Sequence, residues 1–141
     1  AGKRQAGAGR YAMIRSLDHL VLTVRDVDKT VDFYCRGLGM RKEVFGNGRV
    51  AIHFGDQKFN LHGADGVPLL PRARNPVAGG ADFCLVAGVP LDEVIRRLGN
   101  AGIAIERGPV DQAGARGPMR SVYMREPDDN LVEICAYPPG L

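Results

Sequence analysis

The sequence has no tryptophan, only 6% aromatic residues and three cysteines in 141 positions. Three is an odd number, and Cys35, Cys84 and Cys135 lack metal-knuckle spacing, so neither a disulfide framework nor a zinc module is encoded. Each lies among apolar neighbours, which predicts buried free thiols and a reducing, cytoplasmic setting. No apolar run approaches the roughly 20 residues that cross a bilayer, so no membrane partner is expected. An excess of one charge is lacking too. Lys and Arg total 19 against 16 Asp and Glu. Four of the basic residues (Lys3, Arg4, Arg10, Arg15) fall in the first 15 positions, and the other 15 meet all 16 acids over the rest. The late arginines Arg107, Arg116, Arg120 and Arg125 have no aromatic stacking platform beside them, so no nucleic-acid partner is expected.

What is present suits one compact domain. Apolar residues make up 45% and charged residues 25%. A chain of this length buries roughly 70% of its unfolded surface without help from a disulfide or structural metal. Residues 1–12 are small, basic and acid-free, and read as an upstream remnant, with the end of an organelle-targeting peptide as the alternative. The patterned sequence, residues 13–141, begins at Met13, a plausible start.

Leu17 to Val24 has strand length and β-branched content. Asp26 or Asp28 can cap a helix carrying Val27, Val31, Tyr34 and Leu38, which Gly37 and Gly39 would stop. Met40–Phe45, Arg49–Phe54 and Lys58–His62 read as strands separated by Gly46-Asn47-Gly48 and Gly55-Asp56-Gln57. Residues 64–79, with Pro68, Pro71 and Pro76, read as a linker between modules at about 15–63 and 80–137. The pattern then restarts: a strand over Asp82–Ala87 and a helix with Pro90 at its first position and Leu91, Val94, Ile95 and Leu98 on one face. Strands follow at Ile103–Arg107, Arg120–Arg125 and Leu131–Tyr137, with Gly108–Pro118 as a Gly/Pro-rich loop. Both halves spell βαβββ, which predicts an α+β fold.

Glu133 lies mid-strand in Leu131-Val132-Glu133-Ile134-Cys135, where a buried carboxylate needs a cation, an arginine or a metal unless that face is solvated. His19 sits similarly in its strand. His62 closes its strand, on a face with Asn60, and Asp82 opens the matching strand of the second half. Two histidines and two carboxylates would make a site for a divalent Mn, Fe, Co, Ni or Zn ion. Arg116, Arg120 and Lys58 are candidate grips for an anionic substrate. Cys84 and Cys135 share faces with Asp82 and Glu133, but read as small buried hydrophobes. His53 and Tyr123 read as structural, and Gly114 and Gly117 as loop glycines.

LDHLVLTVRDVDKTVDFYCRGLGM followed by REPDDNLVEI resembles the vicinal oxygen chelate superfamily of glyoxalase I, extradiol dioxygenases, fosfomycin-resistance enzymes and bleomycin-binding proteins. KFNLHGAD, GGADFCLV and GPVDQAGARGPMRSVYMREPDDNLVEI are similar to the glyoxalase domain-containing protein 5 group and its bacterial, virulence-associated relatives. The resemblance runs from about Leu17 to Tyr137. It implies two βαβββ modules forming a pseudo-symmetric cupped sheet, often paired in a homodimer, with metal ligands on the first and last strands of each module. His19 falls on the first-strand ligand position and Glu133 on the last. Asp82 falls where most relatives place a histidine, and the glutamate ligand of glyoxalase I falls on Asn60 or His62. The implied function is a metal-dependent, glyoxalase-like lyase or isomerase acting on neighbouring substrate oxygens, with Glu133 able to move a proton. The chain departs from the glyoxalase I pattern at Asp82 and at Asn60 or His62, where the base of that reaction is missing or replaced. The alternatives are an extradiol-type dioxygenase with iron on His19, His62 and Glu133, or a bleomycin-resistance-like binding protein without chemistry.

Overall fold

The computed structural model describes residues 12–140, so the reading of the first eleven residues lies outside it. Strand β1 (His19–Val24) alternates as a half-buried strand must. Leu22 and Val24 are buried, while His19, Val21 and Thr23 take the other face. Asp26, rather than Asp28, then caps α1 (Val27–Val31): its carboxylate accepts the Lys29 N–H at 3.0 Å. The helix widens into a π-helical stretch (Asp32–Gly37), and Gly39, at φ +76°, turns the chain out of it. Replacing Asp26 by Ala is expected to cost about 1 kcal/mol. Urea unfolding would read this as a lower midpoint at unchanged slope.

Strands β2 (Arg41–Phe45), β3 (Arg49–Phe54) and β4 (Gln57–Gly63) follow through turns made by left-handed glycines such as Gly48. The sheet order is β1-β4-β3-β2, with β1 parallel to β4 and the other pairs antiparallel. After an irregular, proline-rich segment come β5 (Asp82–Val86), α2 (Leu91–Asn100), β6 (Arg107–Gly114), β7 (Gly117–Arg125) and β8 (Leu131–Ala136). Their order, β5-β8-β7-β6, repeats the first sheet with the same directions. The fold is α+β, with two matching βαβββ modules.

Three local expectations change. Pro90 is the N-cap of α2 with an extended ψ of 152°, so the helix starts one residue later. The span Ile103–Glu106 forms no strand: Ile103 and Ile105 pack on the core as irregular chain. The Gly108–Pro118 segment is not a loop but most of the β6–β7 hairpin. Strand β6 is the outer strand of its sheet, where Pro109 can lack an N–H without breaking a ladder. Gly108, at φ +110°, sits where a Cβ would strike the Ser121 carbonyl, and this close approach permits the bulge between Arg107 and Val110.

One core serves both modules. Leu22, Val24, Ile52, Phe59 and Leu61 meet Val122, Met124, Val132 and Ile134, with Phe33, Tyr34, Val94 and Leu98 from the helical segments. Phe59 and Phe83, one from each sheet, lie 5.0 Å apart between ring centroids. The turn between β7 and β8 ties the halves together. Glu126 accepts the backbone N–H of Asp128 at 2.6 Å and of Asn130 at 3.1 Å, and Tyr34 donates its hydroxyl to it at 3.4 Å. Asp128 accepts the Arg25 N–H, and Asn130 accepts the Ala81 N–H. No helix among the described residues is long and apolar enough to cross a membrane.

Candidate metal centre and substrate face

Because each sheet turns one face to the common core, the chemistry-bearing residues collect on the other. In the first module β1 pairs with β4 so that His19 stands beside Lys58, Val21 beside Asn60, and Thr23 beside His62. In the second, Asp82 stands beside Leu131, Cys84 beside Glu133, and Val86 beside Cys135. Superposing the two registers makes Asn60, not His62, the positional equivalent of Glu133. His62 lies two residues on, roughly 6.6 Å further along the same face.

His19 is about half exposed, its side chain at 42%. Its Nδ1 faces the Asp18 carboxylate at 2.8 Å. With that nitrogen protonated, the lone pair is left on Nε2, the arrangement a ligating histidine adopts. His62 is half-buried, and its Nε2 has no hydrogen-bond partner. Burial, then the charge of Arg49, holds its imidazole below the ordinary histidine range, so it stays neutral and able to coordinate. Glu133 accepts a 2.6 Å hydrogen bond from the Ser121 hydroxyl on Oε2. Tyr123, beside it on β7, receives a 2.8 Å bond from Gln112. Burial and the Glu133 carboxylate push the Tyr123 phenol up, keeping it a proton donor at neutral pH. Asp82 is exposed and lies near Arg125, whose guanidinium pairs with Glu106.

These donors fit a divalent ion in kind: two imidazoles and two carboxylates, one imidazole nitrogen orphaned and one carboxylate held from a single side. A single chain does not gather them. Among the described residues no three His, Cys, Asp or Glu side chains cluster as a metal site. His19 and His62 belong to one sheet, Asp82 and Glu133 to the other.

The remaining candidates separate. Lys58 is on the site-side face, with its ammonium 4.3 Å from the centre of the Phe45 ring. Arg116 is at the β6–β7 turn, stacked 4.3 Å over Tyr137. Arg120 requires a correction: alternation along β7 places Ser121 with Glu133 and Arg120 on the opposite face, where it pairs with Asp111 at 3.2 Å. The Cys84 residue is exposed overall rather than buried, and stands beside Glu133; partial desolvation of its sulfur against the sheet, then Cys135 and Glu133, push its thiol up, so it is no thiolate nucleophile. Cys135 is buried as expected, and His53 pairs with Glu43 at 3.0 Å. Gly114 is packed against Tyr137 and Met119 rather than free in a loop.

Sequence reasoning missed Ser121, Gln112 and Arg49. Nothing in their local spacing marks them, because each acquires meaning only from the strand opposite. It also missed a 250 Å³ cavity between Thr23, His62 and the proline-rich segment, with Leu69 and Arg72 on its wall. A larger cleft between the modules is lined by Arg36 and Arg96, but these are already paired with Asp32 and Glu93.

The pair of matching βαβββ modules defines a class of fold, and comparison with known proteins gives the family. Residues 16–134 match the model of the Glyoxalase/Bleomycin resistance protein/Dioxygenase superfamily, and the chain belongs to it. It is 46% identical over 128 residues to the glyoxalase domain-containing protein RDO1 of Mycosarcoma maydis, covering 91% of this chain and 72% of that one. It is 42% identical over 125 residues to virulence protein STM3117 of Salmonella typhimurium, covering 89% and 86%. The crystal structure of STM3117 superposes with a TM-score of 0.87, over 90% of this chain and 100% of that one. Lactoylglutathione lyase from Agrobacterium tumefaciens, 24% identical, shares the fold with a TM-score of 0.67 over 87% and 94%.

Proposed function

We propose that the chain is a glyoxalase-like, metal-dependent enzyme acting on a small molecule with neighbouring oxygens, and that its site is completed by a second copy. His19 and His62 of one copy would hold the ion with Asp82 and Glu133 of the other. The observation that carries the reading is the pair of half-sites. An orphaned His62 Nε2 and a Ser121-braced Glu133 stand on sheet faces turned away from the shared core, each lacking the other's donors. The edge strands support the pairing. β1 and β5 are unpaired edges, and Val21 and Val86, 44% and 57% exposed, lie on them beside the candidate ligands.

When bound, a divalent ion there would supply Lewis-acid polarisation of two neighbouring substrate oxygens. The chain's own part is positional. Ser121 holds one Glu133 oxygen and aims the other, so Glu133 can take and return a proton at the substrate carbon. Tyr123, fixed by Gln112, offers a phenolic proton on the same face. The proline-rich segment around Leu69 narrows access from the His62 side.

Mixing two inactive variants tests the shared site. His19→Ala/His62→Ala and Asp82→Ala/Glu133→Ala proteins should each bind no metal. Co-refolded in equal amounts, half the dimers are mixed and each regains one site of two, so about a quarter of wild-type metal uptake returns. No recovery, with mixed dimers shown to form, would reject the shared site. Wild type that takes up no metal at all would favour the binding-protein alternative.

A further inference from the structure

Two cations meet over one ring. The guanidinium carbon of Arg49 lies 4.8 Å from the centre of the Phe45 ring, and the Lys58 ammonium lies 4.3 Å from it. Lys58 arrives from a distance: its partner on β3 is His53, which pairs with Arg41, four residues from Phe45 on β2. Its side chain therefore runs across the site-side face of the first module. Cation–π attraction explains why each charge sits on an aromatic face, but not why both choose the same one. Neither makes a salt bridge among the described residues. Glu43, on the same face, is committed to His53.

Three polar atoms beside them are buried without a partner: Arg49 Nε, His62 Nε2 and Asn60 Oδ1. Asn60 is 5% exposed. Val50 pairs with Leu61, so Arg49 comes opposite His62, and Asn60 is next along that face. Native folds seldom leave such atoms unsatisfied; His62 Nε2 is already assigned to the ion, which leaves Arg49 Nε and Asn60 Oδ1 to be explained. Arg49 Nε needs an acceptor and Asn60 Oδ1 needs a donor. A repelling pair of cations needs an anion.

We infer that Arg49 and Lys58 form an oxyanion subsite floored by Phe45, with Asn60 Oδ1 receiving a hydroxyl of the same molecule. The substrate class is then a small hydroxylated oxyacid, a carboxylate or a phosphonate. The inference rests on reading this face as the substrate face, but not on a metal being bound. It adds Arg49 to the groups that select the substrate and gives Lys58 a defined task.

The test uses chelator-treated full-length protein, titrated with acetate, glycolate and methylphosphonate and followed by proton–nitrogen correlation spectra. Saturable shifts at Phe45 and Arg49 are expected with at least one anion. Glycolate should bind more tightly than acetate, because only glycolate carries the hydroxyl. The order of acetate and methylphosphonate decides which oxyanion the subsite prefers. Arg49→Gln should weaken binding about tenfold or more, as loss of a charge-assisted hydrogen bond does, whereas Arg49→Lys should retain most of it. Lys58→Gln should weaken it comparably. If wild type binds none of the three anions, or Arg49→Gln and Lys58→Gln both bind like wild type, the subsite does not exist. Metal uptake without anion binding overturns this inference alone. Anion binding without metal uptake supports it and overturns the metal reading instead.

Discussion

Removal of divalent metal from the purified protein is expected to lower its melting temperature, and Mn, Ni, Co or Zn should restore it. An ion that binds only the assembled native state adds about 2.7 kcal/mol at a free concentration of 100 times its dissociation constant. His19→Ala or Glu133→Ala should abolish the restoration. His19 presents a free nitrogen opposite its Asp18 contact, and Glu133 is the carboxylate aimed by Ser121. Arg120→Gln should leave it intact, because Arg120 faces the other side of the sheet with Asp111. Ser121→Ala should weaken the ion's hold rather than remove it, since it frees the carboxylate without deleting it. Affinity should fall as pH drops, because protons compete for the imidazoles. The depressed His62 should resist that competition to a lower pH than an ordinary histidine. Elemental analysis beside the melting curves decides the matter: an intact, metal-free protein with no ion-dependent shift would overturn the metal reading.

The largest effect of a single substitution away from that site is expected at Glu126. Its buried carboxylate accepts two backbone N–H groups of the β7–β8 turn and the Tyr34 hydroxyl, which reaches it from the other module. Glu126→Ala would leave those donors buried without an acceptor. At 1–3 kcal/mol for each orphaned group, partly relieved by water, a loss of about 3 kcal/mol is expected from urea unfolding. Glu126→Gln keeps one oxygen acceptor and should cost less. The two proteins should also differ in pH dependence. Burial raises the Glu126 carboxyl above its ordinary range, so the folded state holds this proton more tightly than the unfolded one. The stability it contributes is complete below the unfolded pKa and is lost as pH rises through the folded value. Wild type should therefore gain relative to Glu126→Gln on acidification from neutral pH, and an unchanged difference would mean that Glu126 does not titrate between the two states.

Much of this is legible in the sequence. The strand-length, β-branched run Leu17 to Val24 marks β1, and Leu131 to Tyr137 marks β8 around Glu133. The repeated βαβββ order follows from such local signals, and so does the suspicion attached to His19 and Glu133, polar residues in strands otherwise built to be buried. The misread stretches are those where tertiary packing overrode local pattern. Ile103 and Ile105 alternate like a strand yet serve the core as irregular chain. Pro109 and Gly108 look like loop residues, yet stand on an outer strand that needs neither an N–H nor a side chain at those points.

The sequence by itself determined the two modules, the strands that carry His19, His62, Asp82 and Glu133, and the family to which those strands belong. These are local properties: period, capping and turn chemistry act within a few residues. Which side chain stands opposite which was decided only by the tertiary structure. Strand register is chosen by the collective burial of Leu22, Ile52, Phe59 and Val132 in one core, and it has no trace in either strand alone. That choice set Asn60 in the place equivalent to Glu133 and Ser121 against the carboxylate, and it turned Arg120 away. It also put Arg49 opposite His62. The same packing set His19 and His62 on one sheet and Asp82 and Glu133 on the other, each on the face turned away from the shared core.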